Sequence, residues 1–199
     1  MTDSQIDQLT IDTAPNRLTA LRMLAVPLVV WCLSFHTFFW DSIATTIFVA
    51  AAITDYFDGY LARTTKAVTI YGKLLDPLAD KFLVVVVLIM LQHLDRIHPW
   101  LVMVLVCREM TISSLRALAS AEGVIISAGA GGKWKAALQM VAIPFLMINV
   151  PLLGFIPTRE IGLGLIYLSV ILSLGSLSTY CLDFFRALHA RRQQRKSSS

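Results

Sequence analysis

Four aspartates stand in two short stretches of otherwise apolar chain: Asp55 and Asp58 in TDYFDGYLAR at residues 54–63, Asp76 and Asp80 in GKLLDPLADKFL at residues 72–83. On an α-helix Asp55 and Asp58 lie about 60° apart and ~4.5 Å along the axis, with Gly59 and Ala62 within about 40° of Asp55. One face then offers two carboxylates beside two residues with almost no side chain. Arg63, about 80° from Asp55, borders that face, either as a phosphate partner or as an arginine reaching for a polar boundary. Both acids end an apolar run, where the helix dipole disfavours anions, and a bound cation would reverse that penalty. Asp76 precedes Pro77, as in an N-cap followed by proline at the first helical position, which would set Asp80 in the first turn. If the helix opens earlier, Gly72 flanks Asp76 within about 40°. Carboxylates without histidine or cysteine make a hard oxygen site suited to Mg²⁺, Mn²⁺ or Ca²⁺, and magnesium commonly binds together with phosphate.

The elements that must position these acids are membrane helices. Of 199 residues, 56% are hydrophobic and 15% charged, and the mean hydropathy of +0.69 is too high for an ordinary soluble domain. An all-α integral membrane protein is predicted. Apolar stretches of spanning length occur near 19–40, 43–63, 74–94, 99–121, 134–153 and 160–185. They predict six transmembrane helices in one domain over 19–186. Pro27, Pro144 and Pro151 are tolerable in or beside such helices. Residues 1–18 read as a tail or a short interfacial helix carried by Ile6, Leu9 and Ile11. Residues 1–15 hold Asp3, Asp7 and Asp12, and such a start suits neither a signal peptide nor an Arg-rich transit peptide.

Basic residues set the orientation. With the N-terminus inside, fifteen of the 17 Lys and Arg fall at inside helix ends or tails, and Arg96 and Arg159 fall outside. Both termini and all four aspartates are therefore expected to be cytoplasmic. The tail at 187–199, with Arg191, Arg192, Arg195 and Lys196, suits attraction to anionic membrane lipids. It lacks the aromatic interleaving of a nucleic-acid surface, so no nucleic-acid partner is expected. Cys32, Cys107 and Cys181 stand singly in apolar runs and read as packing residues, and His36, His93 and His98 as interfacial ones. Arg108, Arg116, Lys133 and Lys135 gather at the ends of the fourth and fifth spans on the cytoplasmic side. Each alone is an ordinary positive-inside residue, while together they would suit a phosphomonoester.

The acids reach a recognisable pattern. D-x2-D-G-x2-A-R-x8-G-x3-D-x3-D is complete as Asp55, Asp58, Gly59, Ala62, Arg63, Gly72, Asp76 and Asp80, and it resembles the signature of the CDP-alcohol phosphotransferases, membrane enzymes that displace CMP from a CDP-linked lipid or alcohol. PNRLTALRMLAVP at 15–27, CREMTISSLRALASAEG at 107–123 and GKWKAALQMVA at 132–142 resemble the bacterial branch that makes phosphatidylglycerophosphate. That branch commonly carries a threonine where this chain has Ala136.

What the resemblance implies is specific. Asp55, Asp58 and Asp76 would hold Mg²⁺ or Mn²⁺ against the diphosphate, with Asp80 near the metal as general base. Gly59 and Ala62 would give the nucleotide room, with Asp55, Arg63 and Gly72 in the CDP pocket and Asn16, Thr19 and Arg22 close to it. Arg108, Arg116, Lys133 and Lys135 would take the acceptor's phosphate. The implied reaction moves a phosphatidyl group from CDP-diacylglycerol to glycerol 3-phosphate, in a homodimer of the bacterial plasma (inner) membrane whose active site faces the cytoplasm. Cardiolipin synthase and phosphatidylinositol-phosphate synthase share the signature and are alternatives. A transporter with a carboxylate ion site is an alternative of another class, but it would usually place its acids near mid-membrane and show repeated halves, and no internal repeat is apparent.

Overall fold

The computed structural model describes the backbone of residues 14–65, 70–121, 130–151 and 156–197, and the side chains of 21–54, 81–120, 134–151 and 156–188. Among the described residues there are six helices and no β-strand: α1 Ala14–Leu33, α2 Phe38–Thr65, α3 Ile70–His93, α4 Pro99–Ala121, α5 Ala130–Ile148 and α6 Thr158–Ser197. Each corresponds to one apolar span of the sequence. Pro27 lies inside α1 and Pro144 inside α5. The proposed interfacial segment at Ile6, Leu9 and Ile11 lies outside the described residues.

Three helices stop at a residue with left-handed backbone: His36 (φ 54°) follows α1, Asp95 (φ 56°) follows α3 and Asn149 (φ 47°) follows α5. Asp and Asn tolerate that conformation because their short polar side chains can bond locally. After α3 the Asp95 N–H donates to the Gln92 carbonyl at 3.0 Å and the Arg96 N–H to the Leu91 carbonyl at 2.9 Å. This paired pattern is a Schellman motif, closing the orphan carbonyls of the last turn. The first apolar span, read as reaching residue 40, is broken because Ser34, Phe35 and His36 turn back onto the carbonyls of Trp31, Cys32 and Leu33.

By length and composition one described segment, Thr158–Leu188 of α6, is long and apolar enough to cross a membrane. Shorter apolar helical segments are Leu21–Leu33, Phe38–Thr54, Lys81–His93 and Trp134–Ile148. α6 continues as helix through the basic tail to Ser197, well past the end of its apolar stretch.

The chain forms two compact units, Met1–Arg96 with Ile143–Arg159, and Ile97–Ala142 with Glu160–Ser199. In the first, α1 packs on both α2 and α3. Its core joins Val29, Cys32 and Leu33, Ala44 and Phe48, Leu83, Val87, Leu88 and Leu91, and Ile143, Leu146 and Met147, all 1% exposed or less. The three- and four-residue spacings put these side chains on one stripe of each helix. The outer face of α1 is also apolar, with Leu21, Leu24, Leu28 and Trp31 exposed. In the second unit Leu101, Leu105 and Ile112 of α4 are buried, as are Ile166, Val170, Tyr180 and Phe184 of α6. The opposite face of α6 exposes Leu168, Ile171, Leu182 and Phe185. Its buried side is not wholly apolar, since Ser169 and Ser173 lie there at 0% exposure.

Candidate active site

Asp55 and Asp58 belong to the last three or so turns of α2, and Arg63 stands two residues from its end. α3 opens at Ile70, ahead of Gly72, so Asp76 and Pro77 fall inside a helix and the N-cap reading does not hold. Asp76 and Asp80 lie within about the first three turns of α3. Asp55 is ten residues before the end of α2 and Asp80 ten residues after the start of α3, across the connection 66–69. Since α2 and α3 both pack on α1, the four acids stand on two helices that share a neighbour. The side chains of Asn16, Thr19, Asp55, Asp58, Gly59, Ala62, Arg63, Gly72, Asp76, Asp80 and Lys133 lie outside those described. Among the described residues no cluster of three or more His, Cys, Asp or Glu gathers. The donor chemistry of residues 55–80, four carboxylates with no histidine or cysteine, fits a hard divalent cation bound through oxygen.

On α1, Asn16, Thr19 and Arg22 follow one another at three-residue intervals and so share a side of the helix. Arg22 is 5% exposed despite its charge. It lines a cleft of about 290 Å³ whose remaining walls are Leu21, Leu24, Ala25 and Leu28 of α1 and Ile47, Ala50, Ala51 and Thr54 of α2. The alanines make the space, and one buried cation marks it as amphipathic.

The basic candidates divide. Arg108 and Lys135, 6% and 5% exposed, meet on one carboxylate, Glu109: Arg108 Nη1 donates to Glu109 Oε2 at 3.1 Å, and Lys135 Nζ donates to the same oxygen. Arg108 is fixed to α6 as well, through Nη2 to Ser176 Oγ at 2.6 Å and Nε to the Ser173 carbonyl at 3.4 Å. The Ser169 hydroxyl donates to the Lys135 carbonyl at 3.4 Å. Arg116 lies eight residues beyond Arg108 on α4 and is exposed, with its guanidinium 5.9 Å from the centre of the Tyr180 ring. That contact is a cation–π geometry.

Glu109, Ser173 and Ser176 were not among the residues picked out from sequence. Their signals are an acid directly beside Arg108 in an apolar run, and serines at 169, 173 and 176 along one side of α6.

A helical fold carrying the eight-residue acidic signature on α2 and α3 defines a class, and comparison with known families agrees: the chain belongs to the CDP-alcohol phosphatidyltransferase family, whose model matches residues 12–175. Among individual relatives, a Cereibacter sphaeroides protein named CDP-diacylglycerol–glycerol-3-phosphate 3-phosphatidyltransferase is 41% identical over 142 residues, 69% of this chain and 64% of its own length. An Arabidopsis thaliana protein, the second of that name there, is 36% identical over 190 residues, 88% of this chain and 81% of its own. A rice protein named cardiolipin synthase (CMP-forming) is 36% identical, over 88% of this chain and 58% of its own. The chain thus spans less than two thirds of the Cereibacter and rice relatives.

Proposed function

We propose that the protein transfers the phosphatidyl group of CDP-diacylglycerol to sn-glycerol 3-phosphate, releasing CMP and forming phosphatidylglycerophosphate. The observation that carries this reading is the likeness to proteins named for that reaction, at 41% and 36% identity, together with the complete acidic signature on α2 and α3.

Asp55, Asp58 and Asp76 hold Mg²⁺ or Mn²⁺ in this reading. Such an ion would supply positive charge to offset the charge that develops as CMP departs. Asp80 accepts the proton of the acceptor hydroxyl, a poor nucleophile until then. The hydroxyl oxygen bonds to the phosphorus that carries diacylglycerol, the bond from that phosphorus to the CMP oxygen breaks, and CMP leaves with the electron pair. Gly59, Ala62 and Gly72 let the nucleotide approach the helix backbone, while Arg63 and the Asn16, Thr19 and Arg22 side of α1 border the CDP moiety. The cleft between α1 and α2 has the lining that an acyl chain would take, apolar along its walls with Arg22 near the phosphates. Arg108 and Lys135, with Arg116 and Lys133, meet the acceptor's phosphate.

The setting proposed is a bacterial plasma membrane, crossed by all six helices, with both termini and the site on the cytoplasmic side and two copies forming a homodimer. Exposed apolar residues on α1 and α6 and the fifteen-to-two distribution of basic residues support the membrane part, and family resemblance supports the dimer. A second reading has an observation of its own: the rice relative is named cardiolipin synthase, so a lipid hydroxyl would be the acceptor. CMP release from CDP-diacylglycerol by the purified chain separates the two readings. Glycerol 3-phosphate is expected to support release, and phosphatidylglycerol, serine and inositol 3-phosphate to fail; release with phosphatidylglycerol alone would establish the second reading.

A further inference from the structure

Arg108 and Lys135 take two positive charges into the interior of their unit, at 6% and 5% exposure. Removing either cation from water costs several kcal/mol unless an anion meets it. Here the chain supplies a shared anion, because Glu109 Oε2 accepts from both cations. The burial is uneven. The Glu109 side chain is 24% exposed, against 5% for Arg108 and 6% for Lys135, so the carboxylate is the member of the cluster nearest to solvent. Arg108 does not depend on it for position, since Ser176 Oγ and the Ser173 carbonyl hold the guanidinium to α6.

Arg108, one of the two cations, is therefore held in place by contacts other than the acid it shares with Lys135. A phosphomonoester carries close to two negative charges and three strong acceptor oxygens, enough to satisfy an arginine and a lysine at once. One carboxylate brings a single charge. We infer that Glu109 is an internal stand-in for the acceptor's phosphate: it occupies Arg108 and Lys135 in the empty site, gives them up when a phosphomonoester binds, and excludes acceptors too weakly charged to displace it. Glu109 is then a specificity-determining residue. Its presence disfavours neutral hydroxyl compounds, and also phosphodiesters, which carry one charge and fewer free oxygens. The inference rests on the assignment of Arg108 and Lys135 to the acceptor's phosphate.

Thermal unfolding of the purified full chain in detergent, titrated with inorganic phosphate, tests it without turnover. Glu109→Gln keeps the side chain's size and removes its charge. The variant is expected to melt below the wild type in phosphate-free buffer and to gain more from phosphate than the wild type does. In steady-state assays its KM for glycerol 3-phosphate should fall by about tenfold, equivalent to ~1.4 kcal/mol, with the KM for CDP-diacylglycerol unmoved. A structural strut would lower melting temperature alike at every phosphate concentration and leave that KM unchanged or raised. Either result overturns the stand-in, as does a failure of phosphate to stabilise wild type and variant alike. Glu109→Asp, which keeps the charge on a shorter arm, serves if the glutamine variant does not fold: a phosphate response larger than wild type supports the inference and an equal one refutes it. If the wild type turned over an acceptor other than glycerol 3-phosphate, the functional reading would fail, while the phosphate titration would still decide the role of Glu109.

Discussion

Arg96 and Asp41 meet at 2.6 Å, with side chains only 8% and 5% exposed. The pair joins the first turn of α2 to the connection after α3. Arg96 Nη1 also donates to the Met147 carbonyl, so the same guanidinium caps the end of α5. Each charge suits its place, the carboxylate at a helix N-terminus and the cation at a C-terminus. Arg159, the other basic residue assigned to the outer side, donates to the Asp95 carbonyl at 3.2 Å in the neighbouring turn.

Removing one member of such a pair strands a buried charge. Arg96→Ala is expected to destabilise by about 3–5 kcal/mol, seen as a lower melting temperature in detergent, with turnover per folded molecule unchanged. Asp41→Ala combined with Arg96→Ala should cost less than the two losses added. Strict additivity would show that the pair does not act as a unit.

The cleft between α1 and α2 gives a prediction about the lipid substrate. Ala51→Trp fills it, and the KM for a long-chain CDP-diacylglycerol is expected to rise roughly tenfold or more, as two or three methylenes at ~0.8 kcal/mol each lose their burial. A water-soluble short-chain analogue should be little affected. An equal effect on both would place the acyl chain elsewhere.

These relationships were unequally legible in the sequence. The six helices were readable because apolar runs of spanning length are long and strong signals, and α4 at Pro99–Ala121 coincides with its span. The break at Ser34–His36 was not, because it lies in WCLSFHTFFW, where hydropathy continues across a turn set by backbone geometry. Asp76 with Pro77 imitates a helix start, yet α3 opens at Ile70. Residue type and spacing alone suggest a hard oxygen site at the four acids, while the roles assigned to them come from the resemblance. Counting positive charge picked out Arg108 and Lys135 but passed over Glu109, since a census of cations says nothing of the anion between them. It also grouped Arg116 with them, although that guanidinium stands over Tyr180.

Metal dependence is the expected consequence of the role proposed for the carboxylates. Asp55→Asn, Asp58→Asn and Asp76→Asn each keep the side chain's shape without its charge, and each is expected to reduce turnover at least a hundredfold while leaving membrane insertion intact, a rise of ~2.7 kcal/mol or more in the barrier. EDTA should silence the wild type and Mg²⁺ or Mn²⁺ restore it. Full activity in chelator would remove the ion from the mechanism.

Orientation is open to a labelling test. In a background with Cys32, Cys107 and Cys181 replaced, Ser198→Cys should react with a membrane-impermeant thiol reagent in inside-out vesicles but not in intact cells. Reaction in intact cells would put the tail, and with it the site, on the outer side.

Transfer to glycerol 3-phosphate is decided by following both products at once, with purified protein, CDP-diacylglycerol, Mg²⁺ and labelled glycerol 3-phosphate. Labelled phosphatidylglycerophosphate and CMP are expected in equal amounts. Lys135→Ala and Arg108→Ala are expected to raise the KM for glycerol 3-phosphate by roughly tenfold to a thousandfold, as for a few kcal/mol of desolvated phosphate contact, while barely moving that for CDP-diacylglycerol. CMP release without label in lipid, or basic-residue variants that weaken the CDP-lipid alone, would contradict the proposed transfer.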